Sequence, residues 1–159
     1  MQRRRGAFAL VVLCSMLVVA CGNSAPIAAR ATVPALTKAS YIEQANTICK
    51  GMNDAVASMG DPPDDNPATM VQYLDRWVAI LNDTLGDLRA LPAPTGDEAT
   101  LRAVYTKVDT LLADGIALGD AIRAGNSDLY DQLNAKISDS TDAANAASLA
   151  YGLTVCGED

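Results

Sequence analysis

The chain has 159 residues, half of them hydrophobic, and a formal net charge of −7 at pH 7. This acidic balance excludes a nucleic-acid-binding protein built on clustered lysine and arginine, because phosphates attract positive charge. The chain contains no histidine, which excludes Ser-His-Asp and Cys-His catalysis and removes the commonest transition-metal ligand. We therefore expect one domain that is not an enzyme and has no cofactor and no metal site.

The first 20 residues have the organisation of a secretory signal peptide. Residues 3–5 are arginines, and an apolar run follows over residues 7–20 that only Ser15 interrupts. The run has 14 residues, fewer than the roughly 20 that a helix needs to cross a bilayer core. A cleaved signal peptide therefore explains this segment better than an ordinary transmembrane helix does.

Cys21 directly follows Val18-Val19-Ala20, and this sequence resembles the bacterial lipobox. In that motif the cysteine thiol receives a diacylglycerol and the peptide is cut just before the cysteine. We predict that residues 1–20 are a lipoprotein signal peptide and that Cys21 is the lipidation site. Acyl chains at Cys21 would hold the mature protein at the extracytoplasmic face of the cell membrane.

The mature chain is predicted to begin with a tether. Removal of residues 1–20 takes away three arginines and no carboxylate, so the formal charge becomes −10, which disfavours electrostatic binding to anionic lipid. Residues 22–38 contain two prolines and show neither a helical nor a strand period. We expect residues 21–38 to form the lipidated cysteine and a flexible tether.

Residues 39–159 are predicted to form a four-helix domain, because apolar residues recur at three-four spacing between proline and glycine breaks. The first helix is expected to open with Ser40 and Glu43 in a capping box. Its apolar positions predict a buried stripe, listed here in order: Tyr41, Ile42, Ala45, Ile48, Cys49, Met52, Val56 and Met59. Gly60 and the loop after it end the helix.

The next two helices have recognisable beginnings. Asn66-Pro67 combines a cap residue with proline in the first turn, and Pro92 ends the second helix. Thr95 and Glu98 have capping-box spacing and predict the start of the third helix, which ends before Gly125.

The fourth helix is predicted over residues 127–151, with Leu129 among its inward residues and Gly152 as its left-handed C-terminal cap. Short links between long amphipathic helices favour antiparallel neighbours, so we predict an all-α, up-down-up-down four-helix bundle. Gly115 and Gly119 on the third helix are interpreted as a site of close packing against the alanine-rich fourth helix.

Two cysteines remain after Cys14 leaves with the signal peptide and Cys21 is acylated. Cys49 and Cys156 are expected to form a disulfide that ties the C-terminal tail to the first helix, since exported proteins fold in an oxidising compartment. Two buried free thiols are the alternative, and a catalytic redox pair would more often have C-x-x-C spacing.

The residues around these cysteines carry a resemblance. Tyr41-Ile42-x-x-Ala45-Asn46-x-Ile48-Cys49-x-x-x-Asn53 and the terminal Tyr151-Gly152-Leu153-x-x-Cys156-Gly157 resemble a group of small exported actinobacterial proteins. Most members are lipoproteins whose helical domain has one cysteine near each end. The resemblance implies an exported helical domain with a bond between its ends, and it implies no activity.

We expect the carboxylates to lie in contact with solvent and the main aromatic residues to pack in the core. Asp61, Asp64 and Asp65 lack the alternating ligands and the turn glycine of a calcium loop, so a solvated turn is expected. Four further carboxylates are expected on the surface of the fourth helix: Asp128, Asp131, Asp139 and Asp142. Trp77 and Tyr151 lie on apolar stripes and are expected to pack in the core, although an aromatic-lined ligand site between helices stays open.

Three classes of function remain open. We expect a lipid-anchored extracytoplasmic helical module that binds or scaffolds an unknown partner. The alternative is a carrier of a small apolar or lipid-like ligand in the bundle core, and the third is an enzyme. An exposed apolar patch would favour the first function, a closed internal cavity above a few hundred Å³ the second, and carboxylates with raised pKa values that converge in a cleft the third.

Overall fold

The computed structural model describes residues 34–63 and 66–157. Four α-helices follow in chain order: α1 (Lys38–Ala57), α2 (Pro67–Ala90), α3 (Glu98–Arg123) and α4 (Ser127–Tyr151), and a short 3-10 turn (Val155–Gly157) comes last. The described part contains no strand, so the predicted all-α class is confirmed. The predicted signal peptide, Cys21 and most of the tether lie outside the described residues.

Sequential helices are antiparallel neighbours. Asp75 near the start of α2 pairs with Arg123 at the end of α3, and Arg89 at the end of α2 pairs with Asp109 of α3 at 2.7 Å. Helix α1 lies on α2, α2 on α3 and α3 on α4, while residues 152–157, the tail, lie against both α1 and α4. The structure is therefore the predicted four-helix bundle, with its first and last helices joined through the tail.

The core lies at the end of the bundle where α1 begins and α4 ends. Its buried residues come from all four helices and the tail: Tyr41, Ala45, Cys49, Leu88, Leu101, Val104, Tyr151 and Leu153. Leu36, which precedes α1, packs against this cluster.

The predicted caps are correct for α2 and α4 and wrong for α1. Asn66 accepts a hydrogen bond from the Ala68 amide at 3.0 Å, and Gly152 has a φ of +108°, as a left-handed cap requires. Helix α1 is capped by Thr37, whose hydroxyl oxygen accepts from the Ser40 amide at 3.2 Å. Ser40 therefore lies inside the helix, because α1 begins three residues earlier than predicted, with Thr37 as its cap.

The predicted capping box of α3 is also wrong. Gly96 has a φ of +92°, and this turn separates Thr95 from the helix start. The Glu98 carboxylate instead accepts a hydrogen bond from the Gly96 amide at 2.9 Å. Asp97 occupies the N-cap position without capping, because its carboxylate accepts a hydrogen bond from Tyr151 at 2.8 Å.

Two packing predictions need correction. Leu129 is 40% exposed rather than buried. It lies 12 residues, or about 18 Å, before Thr141 along α4, and Thr141 shares a cavity wall with Ala57, the last residue of α1. Helix α1 therefore ends too early to cover Leu129.

Gly115 packs against α2 and not against α4. A β-carbon added there would lie 2.8 Å from the Trp77 ring and 3.2 Å from Val78, whereas one at Gly119 would meet only the Arg123 side chain. The absence of a side chain at Gly115 therefore makes room for a tryptophan on the neighbouring helix.

Candidate functional site

The tail is fastened to α1 by a disulfide between Cys49 and Cys156, as predicted. Their α-carbons are 5.0 Å apart and the bond joins residues separated by 107 positions. The tail turns back at Gly152, because the amides of Gly152 and Leu153 both donate to the Ser148 carbonyl, at 3.2 and 2.9 Å. Leu153 is thereby placed in the core with 1% of its surface exposed.

Two asparagines of α1 also hold the tail. The Asn46 side-chain oxygen accepts from the Val155 amide at 3.2 Å, and the Asn53 side-chain nitrogen donates to the Val155 carbonyl at 3.1 Å. Sequence analysis assigned no role to either residue. A signal was present, since they are seven residues apart and share one helix face with Cys49.

Three tyrosines close the end of the bundle beside the tail. The Tyr41 and Tyr105 hydroxyls form a hydrogen bond, and Tyr105 also donates to the Leu88 carbonyl at 3.1 Å. The Tyr41 and Tyr151 rings meet edge to face with centroids 6.0 Å apart. Burial raises the pKa of all three tyrosines, so each hydroxyl stays neutral at physiological pH and serves as a hydrogen-bonding group.

Lys38 lies on the outer side of these tyrosines. Its ammonium group lies 4.3 Å from the centre of the Tyr151 ring and 3.8 Å from the Asp97 carboxylate. Because Asp97 also accepts a hydrogen bond from the Tyr151 hydroxyl, the first residue of α1, the N-cap residue of α3 and the last residue of α4 are linked. We call the buried group Tyr41, Leu88, Leu101, Tyr151 and Leu153 the closed end.

Next to the closed end, the helices enclose a cavity of about 500 Å³. All four helices and the tail contribute to its wall. Leu88, Val104 and Leu153 form its inner part and are buried, whereas Ala57 is exposed and Trp77 is partly exposed. The burial gradient places the inner end against the closed end and the mouth near the last turn of α1.

The lining of the cavity is uncharged. Among the described residues, none that lines it is Asp, Glu, Lys or Arg, although 31 of the 159 residues of the chain are charged. Its polar groups are amides and hydroxyls, listed here in chain order: Asn53, Thr84, Tyr105, Thr141, Asn145 and Ser148. Such a wall suits an uncharged molecule, because an ion placed there would lose its hydration without gaining a partner.

Trp77 lies in the cavity wall at the mouth, and its ring rests on the backbone of Gly115. Trp77 was expected in the core, but it is partly exposed and lines the cavity, so it coincides with the interhelical ligand site that was left open. Tyr151, by contrast, is 4% exposed in the closed end and does not line the cavity.

A second hollow of about 520 Å³ lies at the other end of the bundle, between the start of α2 and the turn joining α3 to α4. It is more open to solvent than the interhelical cavity. Its wall includes Pro63, which adjoins the undescribed residues 64–65. The interhelical cavity is thus the better-enclosed candidate site.

The carboxylates do not converge on either hollow. Asp61 is exposed, as are all four predicted surface aspartates of α4, whereas Asp64 and Asp65 lie outside the described residues. Sequence analysis missed Asp114, which is 3% exposed and pairs with Lys136 of α4 at 2.7 Å. Among residues 34–63 and 66–157, no group of three potential metal-binding side chains comes together.

Within the same described ranges, no helix combines the length and apolarity needed to cross a membrane. Comparison of the chain with protein-family models, with curated proteins and with solved structures gives no match. The cavity and its lining are therefore the basis for a functional proposal.

Proposed function

We propose that the helical domain binds a small apolar molecule in the interhelical cavity. The cavity carries this proposal, because about 500 Å³ enclosed by an uncharged wall falls in the range of roughly 300–1,000 Å³ found for small-molecule sites. The sequence led us to expect a binding module with an unknown partner. We propose that this partner is a small molecule that binds inside the bundle. The proposed role is that of a carrier.

The expected affinity follows from burial. Each CH₂ group transferred from water to the cavity contributes about 0.8 kcal/mol, so a chain of eight carbons gains on the order of 6 kcal/mol before the cost of ordering it. Such a ligand would bind with a dissociation constant between the micromolar and millimolar ranges. Larger ligands that fill the cavity would bind more tightly.

The exposed apolar residues favour the cavity over a surface interaction. The large exposed hydrophobic side chains of the described residues are Ile116, Leu129 and Leu149. Leu129 and Leu149 are 20 positions apart on one helix, which is about 30 Å, so they do not form one contiguous patch. An interaction surface of the usual kind would present such a patch.

The sole tryptophan supplies the test, because Trp77 lines the cavity. Titration of the purified chain with 1-bromooctane is expected to quench Trp77 fluorescence with saturation, since bromine quenches an adjacent indole. Ala144→Phe places a ring at a cavity-lining position that is 4% exposed, and it should abolish the saturable quenching.

Ala146→Phe is the matched control, because Ala146 is exposed on the same helix and should leave quenching unchanged. Helix content measured by circular dichroism checks that both variants fold, and Ala144→Leu offers a smaller step if the ring is not tolerated. Quenching that never saturates, or that is equal in Ala144→Phe and the parent chain, would contradict the proposal.

We further propose that the domain is displayed outside the cytoplasm on a lipid anchor at Cys21, as Val18-Val19-Ala20-Cys21 and the short apolar run before it suggest. Cys21→Ser is expected to abolish both the lipid attachment and the normal cleavage. Radiolabelled palmitate should enter the parent chain and a Cys14→Ser control. Label recovered in Cys21→Ser would refute the anchor.

A further inference from the structure

Ser148 is a buried polar residue of the cavity wall next to the tail. It is 4% exposed and lines the cavity from α4. Its main-chain carbonyl is held by the amides of Gly152 and Leu153, so the tail fixes the position of this residue. Its side-chain hydroxyl forms no hydrogen bond with any other residue of the described ranges, and it therefore has the capacity to bind a ligand.

Other polar side chains of the cavity wall and of α4 are engaged, and the buried side-chain oxygen that lacks a partner among the described residues, Asp114 Oδ2, lies outside the cavity wall. Thr84 donates to the Ile80 carbonyl at 2.8 Å, and Tyr105 bonds to Leu88 and to Tyr41. Ser140, a second buried serine of α4, donates to the Ile137 carbonyl at 3.1 Å and does not line the cavity. Ser148 thus differs from Thr84 and Ser140 in that it lines the cavity without a hydrogen bond from its hydroxyl to a carbonyl of its own helix.

The charge of the wall limits what Ser148 can bind. A carboxylate or ammonium beside Ser148 would be desolvated with no opposite charge in the lining. A hydroxyl or carbonyl group, in contrast, needs one hydrogen-bond partner, which the Ser148 hydroxyl supplies. A pure hydrocarbon would leave that hydroxyl buried without a partner.

We infer that the ligand is an uncharged amphiphile, an apolar chain bearing a hydroxyl or carbonyl group that hydrogen-bonds to Ser148 in the cavity wall. This inference rests on the proposed function and adds the chemical class and the orientation of the ligand. The apolar chain then lies between α2 and α4 and ends near Trp77 at the mouth.

Three eight-carbon probes test this class: 1-octanol, octane and octanoate at pH 8. Each is kept below its solubility limit and competes with 1-bromooctane for quenching of Trp77 in the full chain. In the parent chain, 1-octanol is expected to bind more tightly than octane, and ionised octanoate to compete least. Ser148→Ala should weaken the binding of 1-octanol about fivefold, which corresponds to the loss of one ordinary hydrogen bond. The affinity for octane should be unchanged or slightly higher.

Ser140→Ala is the matched control, since it removes a buried serine hydroxyl of the same helix that lies away from the cavity. It should leave the affinities of all three probes as they are in the parent chain. If Ser140→Ala and Ser148→Ala lose the same affinity for 1-octanol, the substitutions act through a general effect on the helix, and the role of Ser148 is overturned.

Failure of this inference is distinguishable from failure of the proposed function. If octane and 1-octanol bind equally in both the parent chain and Ser148→Ala, the cavity binds apolar molecules without the inferred hydrogen bond. Tighter binding of octanoate than of 1-octanol would overturn the uncharged class. If none of the probes displaces 1-bromooctane and its quenching does not saturate, the proposed function itself fails.

Discussion

The closed end and the cavity are built from the same four helices, yet one is filled and the other is hollow. At the closed end, the tail inserts Leu153 between α1 and α4 and leaves it 1% exposed. Farther along the bundle no comparable segment of the described residues occupies the gap, and about 500 Å³ remains. The tail therefore acts as a fifth packing element at the closed end, and Leu153 lies at the boundary between the filled region and the cavity.

The polar groups differ in the same way. At the closed end, the Tyr41, Tyr105 and Tyr151 hydroxyls all have hydrogen-bond partners. The Ser148 hydroxyl, one turn before Tyr151, lines the hollow without a partner among the described residues. Satisfied polar groups stabilise a fixed structure, whereas an unsatisfied one next to a cavity is available to a ligand.

The largest expected effect comes from releasing the tail. Cys156→Ser opens a bond that spans 107 positions, for which the chain-entropy model gives roughly 4–5 kcal/mol of stability. Chemical denaturation should show a loss of this order, with most helix content retained below the transition. Cys49→Ser should lower the free energy of unfolding by the same amount, and the double variant should lose no more than either single variant. Additive losses would show that the two cysteines do not act through one shared bond.

Truncation of single leucines should distinguish the filled region from the hollow one. Leu101→Ala at the closed end, where the side chain is 2% exposed and does not line the cavity, is expected to lower the free energy of unfolding by about 2–4 kcal/mol, because it leaves a new void in tight packing. Leu81→Ala removes a partly exposed side chain from the cavity wall and should cost only about 1 kcal/mol. Equal losses in denaturant titrations would show that the two regions are packed alike.

Gly115→Ala tests how the mouth of the cavity is held. The added β-carbon would lie 2.8 Å from the Trp77 ring, so the ring must move, at a cost of about 1–3 kcal/mol. A shift in Trp77 emission should accompany the loss. Gly86→Ala on the exposed face of α2 meets no neighbouring atom and should instead stabilise the chain by about 0.5–1 kcal/mol.

The smallest effect at physiological pH concerns the tyrosines of the closed end. Burial raises the pKa of Tyr41 and Tyr151, so the folded state keeps protons that the unfolded state releases above pH of about 10. Their contribution to stability is therefore fully present below that pH and is lost as pH rises through the folded pKa values. Tyr41→Phe should make the alkaline decline shallower, and a decline of equal steepness would contradict this origin.

Prediction from the sequence succeeded where local chemistry decides. Asn66-Pro67 begins α2 and Gly152 ends α4 because a cap residue, a proline or a left-handed glycine acts within one turn. The disulfide between Cys49 and Cys156 also followed from the residues, since the other two cysteines had interpretations of their own. The all-α class followed from apolar periodicity.

Prediction failed where several segments act together. Thr37 and Ser40 are both possible cap residues, and the structure places the cap at Thr37, directly after Leu36, which packs on the core. Gly115 contacts Trp77 through a neighbour that its spacing to Gly119 does not reveal. The cavity could not be predicted for the same reason. Its volume depends on the side chains of four helices and the tail together, and no single segment determines it.

Crystals of the protein grown with 8-bromooctan-1-ol would test the central claim most directly, because the anomalous signal of bromine locates one end of the molecule. The account predicts a single bromine site inside the cavity beside Trp77, with the alcohol oxygen at hydrogen-bonding distance from the Ser148 hydroxyl. Bromine found only on the outer surface of the bundle, with no organic density between Ser148 and Trp77, would contradict it.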